Sequence, residues 1–289
     1  MRFKAAACLA LLLSPAALPA GDTAAVLSSE SGAYLEAFSA FERAYGEKVS
    51  RYAASELPQE LPRGIKTVVT FGAKAAALRY PPRLNLVYAL APGFFLDPAA
   101  RAGRTVKISM RPTPERTLAK LHEIQPALKR LRIFWSSPGY ASLQQEYAEA
   151  GAALGLEVTL VNVVRAERLP SLLREALGQM DAFWLPPDPL LLSRETLMIF
   201  REFSWGNQVP MYASTKGLTR EGACASLGVS FAQAGAAAGA AAKALQDGAV
   251  PPALVYAKTT ELTLNTAAAR HCGLLFSPAL LRQADHLLP

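Results

Sequence analysis

The chain runs to 289 residues, of which 51% are hydrophobic and 18% charged, with a formal net charge of +7 at pH 7. That apolar share excludes a disordered chain and leaves room for one large domain or two of ordinary size. The basic residues come singly or in short groups such as KRLR at 129–132, without the stripe or interleaved aromatics of a nucleic-acid surface, so no nucleic-acid partner is expected.

Arg2 and Lys4 precede a short apolar run, AAACLALLL at 5–13, which Ser14 and Pro15 interrupt before ALPA ends at Ala20. A positive start, a brief apolar core and small closing residues make residues 1–20 a secretory signal peptide, and the protein an exported, periplasmic one. The run is too short to span a bilayer, and nothing later reaches that length. Cys8 lies inside the apolar core, so it is not placed as a lipid anchor. Loss of residues 1–20 removes two positive charges and no acid, taking +7 to +5. Two cysteines then remain, Cys224 and Cys272, free to pair in an oxidising compartment or to serve as small buried hydrophobes. His122, His271 and His286 lack metal-ligand spacing, and neither a metal nor a cofactor is expected.

Strand and helix patterns alternate from there on. Residues 24–29 read as a strand leading into a helix over 31–46, where Tyr34, Leu35, Phe38, Phe41 and Tyr45 recur at helical spacing and Gly46 can cap. Strands follow at 48–54 and 66–72, and the segment SELPQELPRG between them is too short for a full helix. The helical stretch AKAAALRY stops at Pro81-Pro82, and strands follow at 84–90 and 104–110. A helix over 113–128 opens with Thr113-Pro114-Glu115, proline standing in the first turn where its missing N–H is tolerated.

The second half repeats the rhythm, with strands at 131–137, 157–163, 181–185, 209–214, 223–230 and 259–265. Helices over 140–155, 168–179 and 193–205, and an alanine-rich one ending at Leu245, separate most of them. Such alternation means βαβ units, parallel sheet and helices on both faces. Ten or so strands are too many for one comfortable sheet. The expected class is therefore α/β, with two Rossmann-like lobes of about five parallel strands each.

Nucleotide and hydrolase signatures are missing: there is no GxGxxG after the first strand, no phosphate-binding GxxxxGK[ST], no GxSxG and no HExxH. Gly235 and Gly239 in GAAAGAAAKAL have the spacing of a membrane helix pair, but a helix packed closely on a sheet suits Gln233 and Lys243 better. Cys224 and Cys272 raise the alternative of a two-thiol racemase working across similar lobes, although their flanks lack the electropositive setting of reactive thiols.

What recurs is polar or small residues at strand carboxyl ends, the rim where open α/β sheets bind ligands. They are Ser28 and Ser29; Phe71, Gly72 and Ala73; Tyr88 and Ala89; Ser137 and Tyr140; Asp188; and Ser214. Asp188 follows AFWL and the rigid Pro186-Pro187 pair. It is expected to face a cleft between the lobes and accept a hydrogen bond from a ligand's cationic or N–H group. The competing role is a cap for the helix that begins near Ser193.

From Ala24 onward the chain resembles the periplasmic substrate-binding proteins of ABC transporters, of the type I group related to tryptophan-binding proteins. The stretches that carry the likeness include VLSSESGAYLEAFSAF, TVVTFGAKAA, DAFWLPPDPLLLSRETL and LTLNTAAARHCGLLFSPALLRQAD. The resemblance implies a two-lobe clamp with three hinge crossings, lobe one from 21–109 and 229–250, lobe two from 110–228 and 251–289. It also implies a monomer without catalysis, a small ligand such as an amino acid or aromatic compound, and delivery to transporter membrane subunits. The same clamp would also serve a membrane sensor kinase. One departure stands out: APGFFLDPAARAG, after the fourth strand, is bulkier than the family pattern.

Overall fold

Thr23–Leu27 (β1) and Thr67–Phe71 (β3) bury every residue, as central parallel strands covered on both faces must. Around them, in a computed structural model that describes residues 21–58, 61–97, 99, 101–140 and 143–289, two sheets form. The signal-peptide expectation for residues 1–20 lies outside the described residues. In the first sheet β1 and β3 are joined by Ser50–Ala53 (β2), Asn85–Ala89 (β4), Thr105–Ile108 (β5) and Leu254–Val255 (β11), in the order β11-β5-β4-β3-β1-β2, parallel throughout.

The second sheet holds Arg130–Trp135 (β6), Glu157–Asn162 (β7), Ala182–Leu185 (β8), Met211–Ala213 (β9), Ala225–Gly228 (β10), Glu261–Asn265 (β12) and His286–Leu288 (β13). Its order is β13-β12-β10-β9-β8-β6-β7, parallel except where β12 runs against β10. Sheets of six and seven strands replace the expected five each. The additions, β11 and β13, are two and three residues long, too short to show a period in sequence. The antiparallel pair also departs from expectation and has a simple cause. The chain leaves the second lobe from the carboxyl end of β10, returns to that same rim, and so must start β12 in the opposite sense.

The chain crosses between the lobes after β5, after β10 and after β11. Because β11 pairs with β5, lobe one extends at least to Val255, not to residue 250 as expected. A short apolar edge strand, LV, gives no sequence signal that would separate it from the loop before it.

The helices pack unequally. Gly32–Tyr45 (α1) and Phe231–Gln246 (α8) cover one face of the first sheet, with Phe38, Phe41, Ala234 and Ala238 in a shared core with Val69, Phe71 and Val87. The opposite face is covered by Ile65, Tyr80, Leu84 and Leu96 from irregular segments. Prolines 58, 62, 81, 82 and 92 interrupt helix there, and among the described residues no helix joins β2 to β3. Only Ala73–Ala76 (α2), a single turn, follows β3. The second sheet is helical on both faces. Pro114–Ile124 (α3), Leu143–Ala152 (α4), Thr266–His271 (α9) and Pro278–Gln283 (α10) cover one side; Leu169–Ala176 (α5), Arg194–Asn207 (α6) and Lys216–Arg220 (α7) cover the other.

Caps fix where the helices begin. Ser193 and Thr196 exchange reciprocal bonds at the start of α6, as Ser230 and Gln233 do at α8. The glycines of α8 let it lie almost backbone to backbone on α1. A Cβ on Gly235 would collide with the Ala37 carbonyl, and one on Gly239 would stand 2.5 Å from the Phe41 carbonyl oxygen. Among the described residues no helix is long and apolar enough to cross a membrane.

Gly235→Ala should destabilise the protein by about 1–3 kcal/mol through overpacking, although alanine is the better helix former by ~1 kcal/mol. Gly206→Ala, in α6 with open space around it, should stabilise slightly. Urea unfolding of the two variants checks this, and equal effects of the same sign would show that the α1–α8 approach does not govern stability.

Candidate functional site

The rim of lobe two is built around one carboxylate. Pro186 and Pro187 end β8 and turn the chain so that the Asp188 N–H donates to the Pro186 carbonyl at 2.8 Å. Asp188 Oδ2 then accepts from the Ser136 and Ser137 amides at 2.6 and 2.8 Å. Its Oδ1 accepts from the Ser137 hydroxyl and from the Leu190 amide, the latter at 3.0 Å. The residue is 0% exposed, so no carboxylate surface is left for a ligand. The expectation that Asp188 faces the cleft is corrected accordingly: it stitches the turn after β6 to the turn after β8. It does not cap α6 either, since Ser193 does that. Tyr140 strengthens the same seam by donating its hydroxyl to the Pro187 carbonyl at 2.9 Å.

Lobe one presents a simpler rim. Ser28 donates its amide to the Phe71 carbonyl at 2.8 Å, and its Oγ accepts from the Ala75 amide at 2.9 Å. Ser29 Oγ accepts from the Ser31 amide at 3.2 Å. Gly72 donates to the Ala89 carbonyl at 2.8 Å, next to exposed Ala73. Ser28, Gly72 and Ala73 therefore meet at one point of the rim. The side chains of Phe71 and Ala89 do not join them; both are 0% exposed and belong to the core under α1, where Phe71 meets the Phe41 ring edge-on at 5.7 Å.

The segment after β4 reaches across to lobe two. Gly93, at φ 69°, lies so close to the turn after β6 that a Cβ there would be 2.8 Å from Ser137 Oγ and 3.2 Å from Pro189 Cδ. A Cβ on Gly139 would in turn stand 2.5 Å from the Gly93 carbonyl oxygen. This is the stretch whose bulk the sequence had marked as unusual, and it brings the two lobes into contact along one edge.

Behind that contact lies a cavity of about 180 Å³. Tyr88, Thr105 and Lys107 line it from lobe one, Tyr140, Glu146 and Pro187 from lobe two, and Arg111 from the crossing after β5. Arg111 Nη2 donates to Glu146 Oε2 at 3.1 Å, and the guanidinium lies 5.7 Å from the Tyr147 ring and 5.6 Å from the Tyr256 ring. Tyr256 belongs to the crossing after β11, and its hydroxyl donates to the same Glu146 oxygen at 3.4 Å. Lys107 donates to the Phe94 carbonyl at 2.9 Å. Burial and then the Arg111 charge lower its pKa to about 8, with Glu146 opposing. Burial raises Tyr88 and Tyr140 above the ordinary phenol value, so both are neutral donors here.

Of the residues expected at the site, Tyr88 and Tyr140 line this cavity. Ser137 is 2% exposed and bound to Asp188, and Ser214 is 0% exposed with a hydroxyl that has no partner among the described residues. Sequence reasoning missed Thr105, Lys107, Arg111 and Glu146. The available signal was Lys107, a charge inside the otherwise apolar strand TVKI, and Arg111 just beyond that strand's carboxyl end. Cys224 and Cys272 are both free and buried in the core of lobe two, so they do not face each other across the cleft as a two-thiol racemase would require.

The family described as ABC transporter substrate binding protein matches residues 111–288, more than half of the chain. No curated protein matches it. Among solved structures, a conserved domain protein from Vibrio cholerae O1 biovar eltor is 16% identical at TM-score 0.62, over 92% of this chain and 98% of that one. The ABC domain from Streptococcus pneumonia in complex with L-Trp is 16% identical at TM-score 0.61, over 92% and 100%. The ligand-free, open form of a substrate binding protein with adhesive properties from Clostridium difficile is 13% identical at TM-score 0.63, over 92% and 98%. At these identities the likeness is one of fold, the two-lobed α/β architecture of type I periplasmic binding proteins.

Asp188→Asn should lower the melting temperature of the unliganded protein, because an amide cannot accept from the two serine amides and the serine hydroxyl as a carboxylate does. The loss should be roughly 1.5–3 kcal/mol, the scale of hydrogen bonds to a charged group. Unchanged unfolding in urea would show that the seam between the β6 and β8 turns is held by other contacts.

Proposed function

Because the chain belongs to the ABC transporter substrate binding protein family, we propose that it is an exported, periplasmic, monomeric solute-binding protein. It captures a small ligand, an amino acid or another compact aromatic or organic molecule, between its lobes and delivers it to the membrane subunits of an ABC transporter. The observation that carries this reading is the interlobe cavity, whose walls come from both sheets and from the crossing that joins them. A ligand there touches both lobes at once, which is what closure of a clamp requires. The L-Trp held by one structural neighbour adds weight to an aromatic or amino-acid ligand. The basic, apolar, small-residue pattern of residues 1–20 supports export.

In this reading Tyr88 and Tyr140 flank the ligand from opposite lobes, the Tyr140 hydroxyl being held by the Pro187 carbonyl. Ser28, Ser29, Gly72 and Ala73 belong to the wider rim that approaches the ligand on closure, whereas Ser214, 0% exposed, does not reach it. Asp188 acts indirectly, by fixing the Ser136-Ser137 turn and, through Pro187, the Tyr140 ring. The membership of the family and the burial of both cysteines in one lobe favour binding over catalysis.

Native mass spectrometry of protein purified from its host should find a small molecule bound. A thermal-shift panel of amino acids and aromatic acids should find at least one that stabilises, by about 2.7 kcal/mol at a hundred times its dissociation constant. If no solute co-purifies and none in the panel shifts melting, the solute-binding reading fails.

A further inference from the structure

Two residues of the interlobe cavity's lining each carry a buried polar atom with nothing to bond. Arg111 is 6% exposed and its Nη1 has no hydrogen-bond partner among the described residues; Thr105 is 8% exposed and its Oγ1 has none either. A buried polar group without a partner is costly, and a charged one more so, so each such atom calls for something to complete it. Lys107 adds an ammonium that spends one donor on the Phe94 carbonyl. The carboxylate of the lining, Glu146, is already shared between Arg111 and Tyr256. Two cations against one carboxylate leave a single positive charge unmatched. Water would satisfy a lone donor but would not offset that charge, whereas a monoanion does both.

The walls set the rest of the ligand. Tyr88, Ile108, Met110, Tyr140 and Leu254 give the cavity an apolar body. Its volume of about 180 Å³ is below the roughly 300–1,000 Å³ of sites for larger ligands. A dianion such as a phosphate ester would leave charge unmatched in the other direction.

We propose that this cavity is the acid-binding end of the ligand site. Arg111 Nη1, Thr105 Oγ1 and the Lys107 ammonium hold the carboxylate of a compact monocarboxylic acid whose apolar body lies against Tyr88 and Tyr140. The assignment rests on the solute-capture reading and narrows it to one chemistry. Lys107 is faced by Arg111 from the crossing, Glu146 from α4, Tyr88 from β4 and Tyr140 from the turn after β6. Its pKa near 8 falls on the side that makes binding pH-dependent. A bound anion favours the protonated ammonium. Affinity should therefore be flat below about pH 7 and should fall once the pH passes 8, approaching tenfold per unit.

Calorimetry on the whole protein with benzoate, phenylacetate and isovalerate, each beside its neutral amide, tests the proposal. At least one acid should bind, at least tenfold tighter than its amide. Lys107→Met should cost that acid about tenfold or more, remove the decline above pH 8 and spare the amide. Thr105→Val, which leaves the hinge charges in place, should weaken the acid several-fold and serves if substitution at Lys107 harms folding. Equal binding of acid and amide, a Lys107→Met protein with unchanged affinity and pH profile, or no binding by any of the three acids would overturn the assignment. Native mass spectrometry separates the two levels: an uncharged solute bound in host-purified protein refutes the acid site while solute capture stands. Absence of any bound solute together with inert acids removes both.

Discussion

A guanidinium taken out of water must find partners, and Arg111 finds them on segments that would otherwise be free to move apart. It sits on the first crossing between the lobes, pairs with Glu146 on α4 of lobe two, and lies between Tyr147 of that helix and Tyr256 of the third crossing. Desolvation of such a charge is expensive, so the arrangement persists only while all of these segments keep their positions. The first and third crossings are thereby tied to α4 of lobe two at the wall of the cavity. A delocalised guanidinium shared between two rings and a carboxylate is a role that arginine fills and lysine does not.

The second carboxylate-centred cluster has a different purpose. Asp188 holds backbone amides, not a cation, and it joins two turns of the same lobe. It makes the rim of lobe two rigid. Lobe one has the opposite character at its rim, because proline-rich segments replace helices on one face of its sheet. Those segments supply the Gly93 stretch that touches lobe two. The cleft thus has one wall built on a hydrogen-bonded pair of turns and another built on irregular segments that also cover a face of their sheet.

The α/β class and two-lobed division were legible because long buried strands and amphipathic helices repeat with clear periods, as AAVL and its following aromatic helix illustrate. The strands LV and HLL were not, since two or three residues carry no period and acquire strand character only by pairing with β5 and β12. Asp188 shows the limit at the site itself. Its place at a strand end was readable, but the Ser136 and Ser137 amides that consume its carboxylate come from a turn about fifty residues away. Their meeting is a property of sheet order, with β6 beside β8. Lys107 was hidden for the converse reason: a lysine in a strand reads as a solvated edge position until the neighbouring β4 and β11 close over it.

The packing of α8 against α1 has a consequence for how the chain acquires its structure. The core of lobe one joins residues near the start, such as Phe38 and Phe41, to Ala234 and Ala238 near the end, and its sheet is completed only by Leu254–Val255. Most of lobe two, β6 to β10 with the helices between them, is inserted between these segments. A nascent chain emerging from its N-terminus therefore holds an unfinished first lobe, with the aromatic face of α1 uncovered, through most of its synthesis. Lobe two is itself unfinished at its β12 and β13 edge. Neither lobe can close early, and such long-range closure is slow. Lobe one is therefore closed only by contacts between segments about two hundred residues apart, and its folding depends on both being present.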